Sequence, residues 1–280
     1  EPVQPPVVER LEKKKETKNP PLLYNLAELQ NDCSKFFKIS PDETLRIVQE
    51  LYEKKLTTYP RTDARVLSSA VAKEIHKNIG GLRNYPVAKE LAEEVLQSGS
   101  YKQIAKTRYV NDKQITDHYA IIPTGQGFGN LNGLHPASAK VYEIIVRRFL
   151  SIFYPAAIYQ KINLSVKMKD EMFTSGFKVL AQTGYLKAAQ NSFTKKRTEE
   201  ETAEDKKEEP EEACDNSFME VLKSLKKGTE LSLKKLVKKE GETSPPKRYN
   251  SGTIILTMEN AGQFIEDEEL RAQIKGSGIG

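Results

Sequence analysis

At 280 residues the chain is long enough for one large domain or for two to three smaller ones, and 38% hydrophobic against 30% charged residues is a balance that buries a core in water. Two cysteines, Cys33 and Cys214, exclude a disulfide framework and a cysteine metal cluster and fit a reducing compartment; no apolar run reaches the roughly 18 residues of a membrane span, and the charged, proline-bearing start is no signal peptide. The net charge of +5 conceals an asymmetry: residues 195–213, KKRTEEETAEDKKEEPEEA, hold five basic and nine acidic residues, leaving 39 basic against 30 acidic elsewhere, which suits a polyanionic partner without requiring one.

Residues 1–21 end in Asn19-Pro20-Pro21 and read as an extended strand or linker. From Asn25 the period becomes helical, with Leu26, Leu29, Cys33 and Phe36 on one face. Ser40, Pro41 and Glu43 then supply an N-cap, a first-turn proline and a capping-box partner for a second helix with Leu45, Val48 and Leu51 or Tyr52 inward. The two helices over 25–55 have a helix-turn-helix character. Pro60 forbids a further helix and makes 56–69 a loop or short strand. Ser68 caps a third helix that Gly80-Gly81 stops, a fourth spans about 87–96, and a long helix runs from about Pro136 to Phe153 after the short apolar segment QITDHYAIIPTG, 114–125.

Beyond Tyr154 the period changes to two. YQKINLSVKMKD, MFTSGFKVLA and TELSLKKLVKKE, the last over 229–240, predict half-buried antiparallel strands, so 157–240 is expected to be mostly sheet. The charged stretch, taken as 194–216, is expected to be a mobile loop. Helical patterning resumes from Thr253 toward Gly280, with Glu266–Glu269 as a helical first turn rather than a metal site. The fold class is therefore α+β and multidomain: residues 1–21 as strand or linker, 22–155 helical, 156–243 β-rich, and 244–280 the start of a further helical domain. The chain reads as cut at both ends.

The most informative residues are Tyr59, Pro60, Arg61, Thr62 and Asp63, which set a phenol two positions from a guanidinium on a short extended segment. A phenol can attack phosphorus, but an ordinary tyrosine is only about one part in a thousand phenolate at neutral pH, a deficit of about 4 kcal/mol that a site must offset. Arginine is suited to that task because its planar fork binds phosphate oxygens bidentately and stays charged. On these two residues alone, a packed ring before a proline and a surface cation are the ordinary reading.

Four stretches alter that balance: residues 20–63, ending in LTTYPRTD; TDHYAIIPTG, 116–125; PPKRYN, 245–250; and SGTIILTMENAGQFIEDEELRAQIKGSGIG, 251–280. In order and spacing these resemble the type IA DNA topoisomerases, within them the bacterial topoisomerase III branch. The resemblance implies that Tyr59 breaks one DNA strand and holds its 5′ end as a phosphotyrosine, storing the bond energy so that cleavage and rejoining need no ATP. It implies that Arg61 stabilises the developing charge, that His118 acts at the scissile phosphate, that Arg61, Thr62, Asp63 and His118 bind the DNA, and that Thr58 and Asp63 shape the loop, Asp63 by pairing with Arg61 or another donor; His76 and His135 receive no role.

The resemblance also implies a toroidal enzyme with residues 156–240 in its arch, and a magnesium ion held by a Toprim domain with an acidic cluster that has no counterpart here. The chain is thus expected to hold no metal and to be unable to cleave DNA alone. Its implied partner is single-stranded or negatively supercoiled DNA, bound as a monomer in the bacterial cytoplasm at the nucleoid, with affinity falling steeply with salt. The competing reading is a non-catalytic module binding single-stranded DNA or reading duplex as a winged helix; the second helix, bearing Asp42, Glu43, Glu50 and Glu53, is a poor surface for a groove.

Overall fold

The computed structural model describes residues 5–193, 211–213, 216–238, 240–266 and 268–274. Its elements are β1 (Val7–Lys18), α1 (Leu26–Phe37), α2 (Pro41–Glu53), α3 (Ser69–Gly81), α4 (Lys89–Ser98), α5 (Pro136–Ser151), β2 (Ala157–Met168), β3 (Glu171–Gln182), α6 (Leu186–Ala189), β4 (Glu211–Ala213), α7 (Asn216–Ser224), α8 (Ser251–Glu259) and α9 (Glu268–Ile274). They group into two compact units, one of residues 1–19, 155–186 and 194–245, the other of 20–154, 187–193 and 246–280.

In the first unit the sheet order is β1-β2-β3-β4. β1 runs antiparallel to β2 from Val7 opposite Lys167 to Lys18 opposite Ala157, and β2 pairs antiparallel with β3 across a turn where Lys169 takes φ 53°. β4 adds in parallel beside Gly176–Lys178. One face is covered by α7, whose Met219 and Leu222 pack on Ile162, Phe177 and Val179. On the strands, Glu16 is shared by Lys161 at 3.3 Å and Lys178 at 2.8 Å.

Two expectations for this region are corrected. The described residues of 157–240 are not mostly sheet, because α7 lies among them and spaces its apolar residues at helical intervals. The strand expected over 229–240 does not form: the chain pairs briefly along the start of β1, with Val8 N–H donating to Thr229 O at 2.9 Å and Leu231 N–H to Pro6 O at 2.8 Å, and 232–238 is irregular and exposed. Pro5 and Pro6 explain the stop, since neither carries an N–H to continue the ladder. Of the 194–216 loop, 194–210 and 214–215 lie outside the described residues.

The second unit is helical. Its centre is α5, buried nearly all round through Val141, Tyr142, Ile145, Val146, Phe149 and Leu150; such a helix is a core element rather than a surface one. Around it pack α1 through Leu29 and Cys33, α2 through Val48 and Leu51, and α3 through Ile75 and Ile79. Side-chain caps start the outer helices: Asn25 Oδ1 accepts from Glu28 N–H at 2.9 Å, Ser40 Oγ from Glu43 N–H at 3.1 Å, and Ser68 Oγ from Val71 N–H at 3.2 Å. His135 caps α5 in the same manner, and His76 lies on α3. α8 begins with a capping box of Asn250 and Thr253 and lies along α1, where Gly252 permits the approach: a Cβ there would stand 2.9 Å from Asn31 Cα. The sequence pattern set 244–280 apart; in the structure its described helices belong with this unit. Burial pushes the Cys33 thiol up to about 12, so it behaves as a core residue rather than a nucleophile.

Candidate active site

The segment carrying Tyr59 emerges from the end of α2. Lys55 N–H donates to Tyr52 O at 2.8 Å and Leu56 N–H to Leu51 O at 2.9 Å, the bond pair of a Schellman ending, with Lys55 at φ 60°. The chain then runs extended beside 120–124. Thr58 N–H donates to Ile122 O at 3.0 Å, while the Thr58 hydroxyl donates to Ala120 O at 3.0 Å and accepts from Ile122 N–H at 2.9 Å. Past Pro60 the tethers change. Thr62 Oγ1 donates to His118 O at 2.8 Å, Leu26 N–H to Thr62 O at 3.2 Å, and Asn25 Nδ2 to Asp63 O at 3.2 Å. Tyr59 is thus held on a strip of backbone pinned on both sides by polar bonds to two other segments.

Its half-buried ring lines a cleft of about 380 Å³ with Tyr52, Lys55, Thr57, His118 and Tyr119 among the walls. The Tyr59 and His118 ring centroids lie 4.4 Å apart at 39°, and Tyr52 meets Tyr59 edge-on at 5.4 Å and 84°. Aromatic contacts of this kind restrict a ring without covering its polar end. Thr124 and Gln126 complete the lining from a turn shaped by glycine. At Gly125 and Gly127, both at φ 77°, a Cβ would meet Asn78 O at 2.6 Å and Lys54 O at 2.5 Å, so the PTGQG turn presses directly on the ends of α3 and α2.

Beside the Arg61–Asp63 loop lies a buried polar junction. Asn25, fully buried, donates through Nδ2 to the carboxylate of Glu259 at the end of α8 as well as to Asp63 O. Burial raises the Glu259 pKa; the Asn25 bond opposes this, the Glu28 and Asp63 charges add to it, and Arg65 counters. Arg65 is itself paired with Glu28 at 2.6 Å. Farther back, Arg148 lies over the Tyr24 ring at 4.1 Å and bonds Asp32 at 2.8 Å, fixing the segment whose Tyr24 carbonyl accepts from Ile121 N–H at 2.8 Å.

Of the residues singled out from sequence, Tyr59, Thr62 and His118 are brought together. Arg61 and Asp63 are both exposed next to them, and among the described residues they form no ion pair, so the Arg61–Asp63 pairing offered as one option is replaced by the Asn25 bond to the Asp63 carbonyl. Sequence reasoning missed Tyr52 and Lys55 as cleft residues and Asn25 and Glu259 as a junction. The signal for Tyr52 was ambiguous: Leu51 and Tyr52 competed for the inward face of α2, and the structure buries Leu51 and leaves Tyr52 40% exposed. Nothing local marks Asn25 and Glu259, which are distant in sequence. Among the described residues no three His, Cys, Asp or Glu side chains converge as a metal site needs: the Glu259 carboxylate is taken by Asn25 and that of Glu28 by Arg65.

The DNA topoisomerase family profile matches residues 3–280. Among curated proteins, the chain is similar to DNA topoisomerase 3 of Bacillus cereus strain ATCC 10987, 32% identical over 277 residues, covering 97% of this chain and 35% of that protein. DNA topoisomerase 3 of Bacillus subtilis strain 168 is 34% identical over 264 residues, covering 94% and 33%. The chain therefore spans about a third of the length of these relatives. Among solved structures, full-length topoisomerase I from Thermotoga maritima superposes with TM-score 0.57 at 20% identity, covering 97% of this chain and 40% of that one, a likeness of fold.

Proposed function

Because the chain belongs to the DNA topoisomerase family, in its type IA branch, we propose that it carries the nucleophile-bearing part of an enzyme that changes DNA topology, with Tyr59 as the nucleophile. One observation carries the reading: the Tyr59 phenol stands on a pinned strip of backbone in an open-sided cleft, against His118 and next to an exposed arginine. The Tyr59 oxygen attacks phosphorus in a single strand, the bond to the 3′ oxygen breaks, and the 5′ end remains as a phosphotyrosine. The proton lost by the phenol balances the one gained by the departing 3′ hydroxyl. Rejoining is the same transfer reversed, so the phosphodiester energy is kept and ATP is not consumed.

Arg61 suits the developing charge because an exposed guanidinium with no carboxylate partner among the described residues can close on phosphate oxygens. His118 offers a ring nitrogen to the same phosphate, and its carbonyl, held by Thr62, ties the two sides of the cleft together. Thr62 therefore acts through His118 and the backbone, and Asp63 through its carbonyl bond to Asn25. Magnesium, which the family resemblance assigns to a separate Toprim domain, finds no fitting set of ligands among the described residues, and no step is routed through it. The sheet unit fits a mechanical part in strand passage; the partner is single-stranded or negatively supercoiled DNA, in the bacterial cytoplasm, engaged by a monomer.

The test is a covalent trap. The chain is mixed with a separately produced metal-binding domain, magnesium and negatively supercoiled plasmid, then quenched with denaturant. The expected result is a protein–DNA adduct at Tyr59, absent in Tyr59→Phe and absent without the added domain. An adduct that persists in Tyr59→Phe, or none with the wild type, ends the assignment.

A further inference from the structure

Lys55 occupies the residue after the α2 cap, where a positive φ ordinarily calls for glycine. That conformation alone singles out nothing, since Lys38 and Lys169 share it. What separates Lys55 is how it is fixed and what it faces. Thr124 Oγ1 donates to its carbonyl at 2.6 Å, and Gly127 packs so closely that a Cβ would lie 3.1 Å from the same oxygen. Its exposed side chain lines the cleft that holds the Tyr59 ring.

Two features of that wall are unfinished. Among the described residues Lys55 forms no ion pair, whereas the adjoining Lys54 is held by Glu50 at 2.6 Å. Thr57, 1% exposed and lining the same cleft, has a hydroxyl with no hydrogen-bond partner among the described residues. A buried hydroxyl is normally satisfied. Among the described residues a cation without a counter-charge and a hydroxyl without a partner, two positions apart in the chain, lack the same thing: an anion rich in acceptor oxygens.

We propose that Lys55 and Thr57 form a phosphate subsite that grips the single strand one phosphodiester away from the one Tyr59 attacks. The inference rests on the function proposed above and adds to it a contact that positions the strand. Lysine suits such a contact, being a compact point charge with three rotatable donors that follows a moving backbone rather than reading a base. The subsite is therefore indifferent to sequence.

The experiment measures fluorescence anisotropy of a labelled oligothymidylate binding to the chain across a salt series. Each phosphate neutralised on a single strand contributes about 0.7 to the slope of log K against log salt. Lys55→Met is expected to make the slope shallower by about 0.7. Lys55→Arg is expected to keep the wild-type slope, and so is Lys38→Met, which neutralises an exposed lysine of the same conformation outside the cleft. Thr57→Val is expected to weaken binding about fivefold at fixed salt with the slope unchanged. A wild-type slope in Lys55→Met, or an equal loss in Lys38→Met, overturns the subsite while leaving Tyr59 chemistry standing; wild-type affinity in Thr57→Val removes the hydroxyl from it. A wild-type chain that binds no oligonucleotide overturns both readings.

Discussion

Replacing Asn25 by alanine tests whether the loop after Tyr59 is held by one buried carboxamide. Three bonds are lost: the cap on Glu28 N–H at 2.9 Å, the bond to Asp63 O at 3.2 Å and the bond to the Glu259 carboxylate. A lost cap costs about 1 kcal/mol. A neutral hydrogen bond contributes about 1 kcal/mol, and one to a charged group about 1.5 kcal/mol at the low end, which applies because half-buried Glu259 regains some water. The expected destabilisation is about 3.5 kcal/mol, or about 7–14 °C in Tm for a unit of this size. Thermal melting followed at the helical circular-dichroism band reads it. Asn25→Asp separates cap from junction: it keeps the acceptor for Glu28 N–H but removes the donor and faces a second carboxylate toward Glu259. A loss below about 1 kcal/mol in Asn25→Ala, or a neutral Asn25→Asp at pH 7, would refute the reasoning, because a helix cap alone would then account for Asn25.

Two further substitutions follow from buried polar groups. Glu259 has its folded pKa raised above 4.5, chiefly by burial, so the folded state holds its proton more tightly. The stability this proton contributes is complete below the unfolded pKa and is lost as pH rises through the folded value. Glu259→Gln, still able to accept from Asn25, is expected to flatten the fall in urea stability above pH 4.5; a profile parallel to wild type refutes the assignment. Glu143, 4% exposed, accepts from Arg147 Nε at 2.6 Å and from Ser192 N–H and Oγ at 2.7 and 2.6 Å, tying residues 187–193 to α5. Glu143→Ala strands a buried guanidinium and should cost about 3–5 kcal/mol in urea unfolding, with Glu143→Gln milder; a cost under about 1 kcal/mol contradicts the buried pairing.

How far the sequence carried the fold depended on whether the signal was local. The ends of α1, α2 and α3 were legible because Asn25, Ser40, Ser68 and Gly80-Gly81 act on backbone groups within four residues. The strand expected over 229–240 failed for the complementary reason: alternation marks a chain able to pair, while pairing needs a neighbour with free donors, and Pro5 and Pro6 offer none. α7 was missed because a nine-residue helix with two buried residues leaves a short pattern, finished by the sheet it covers.

The site divides along the same line. Tyr59, Arg61, Thr62 and Asp63 stand in one pentapeptide, so their association was visible in the linear order, and the His118 segment was legible by its resemblance to a family. Composition and order alone also determined the basic body, the absence of a disulfide framework and the helical character of 25–55. Only the folded chain decided that Tyr52 and Lys55 share a wall with Tyr59, that the Thr57 hydroxyl has no partner among the described residues, and that Glu259 reaches Asn25 across 234 positions. The physical reason is range: caps, turns and periodicity act over a few residues, whereas a cleft is assembled from side chains whose proximity exists only after the core around α5 has closed.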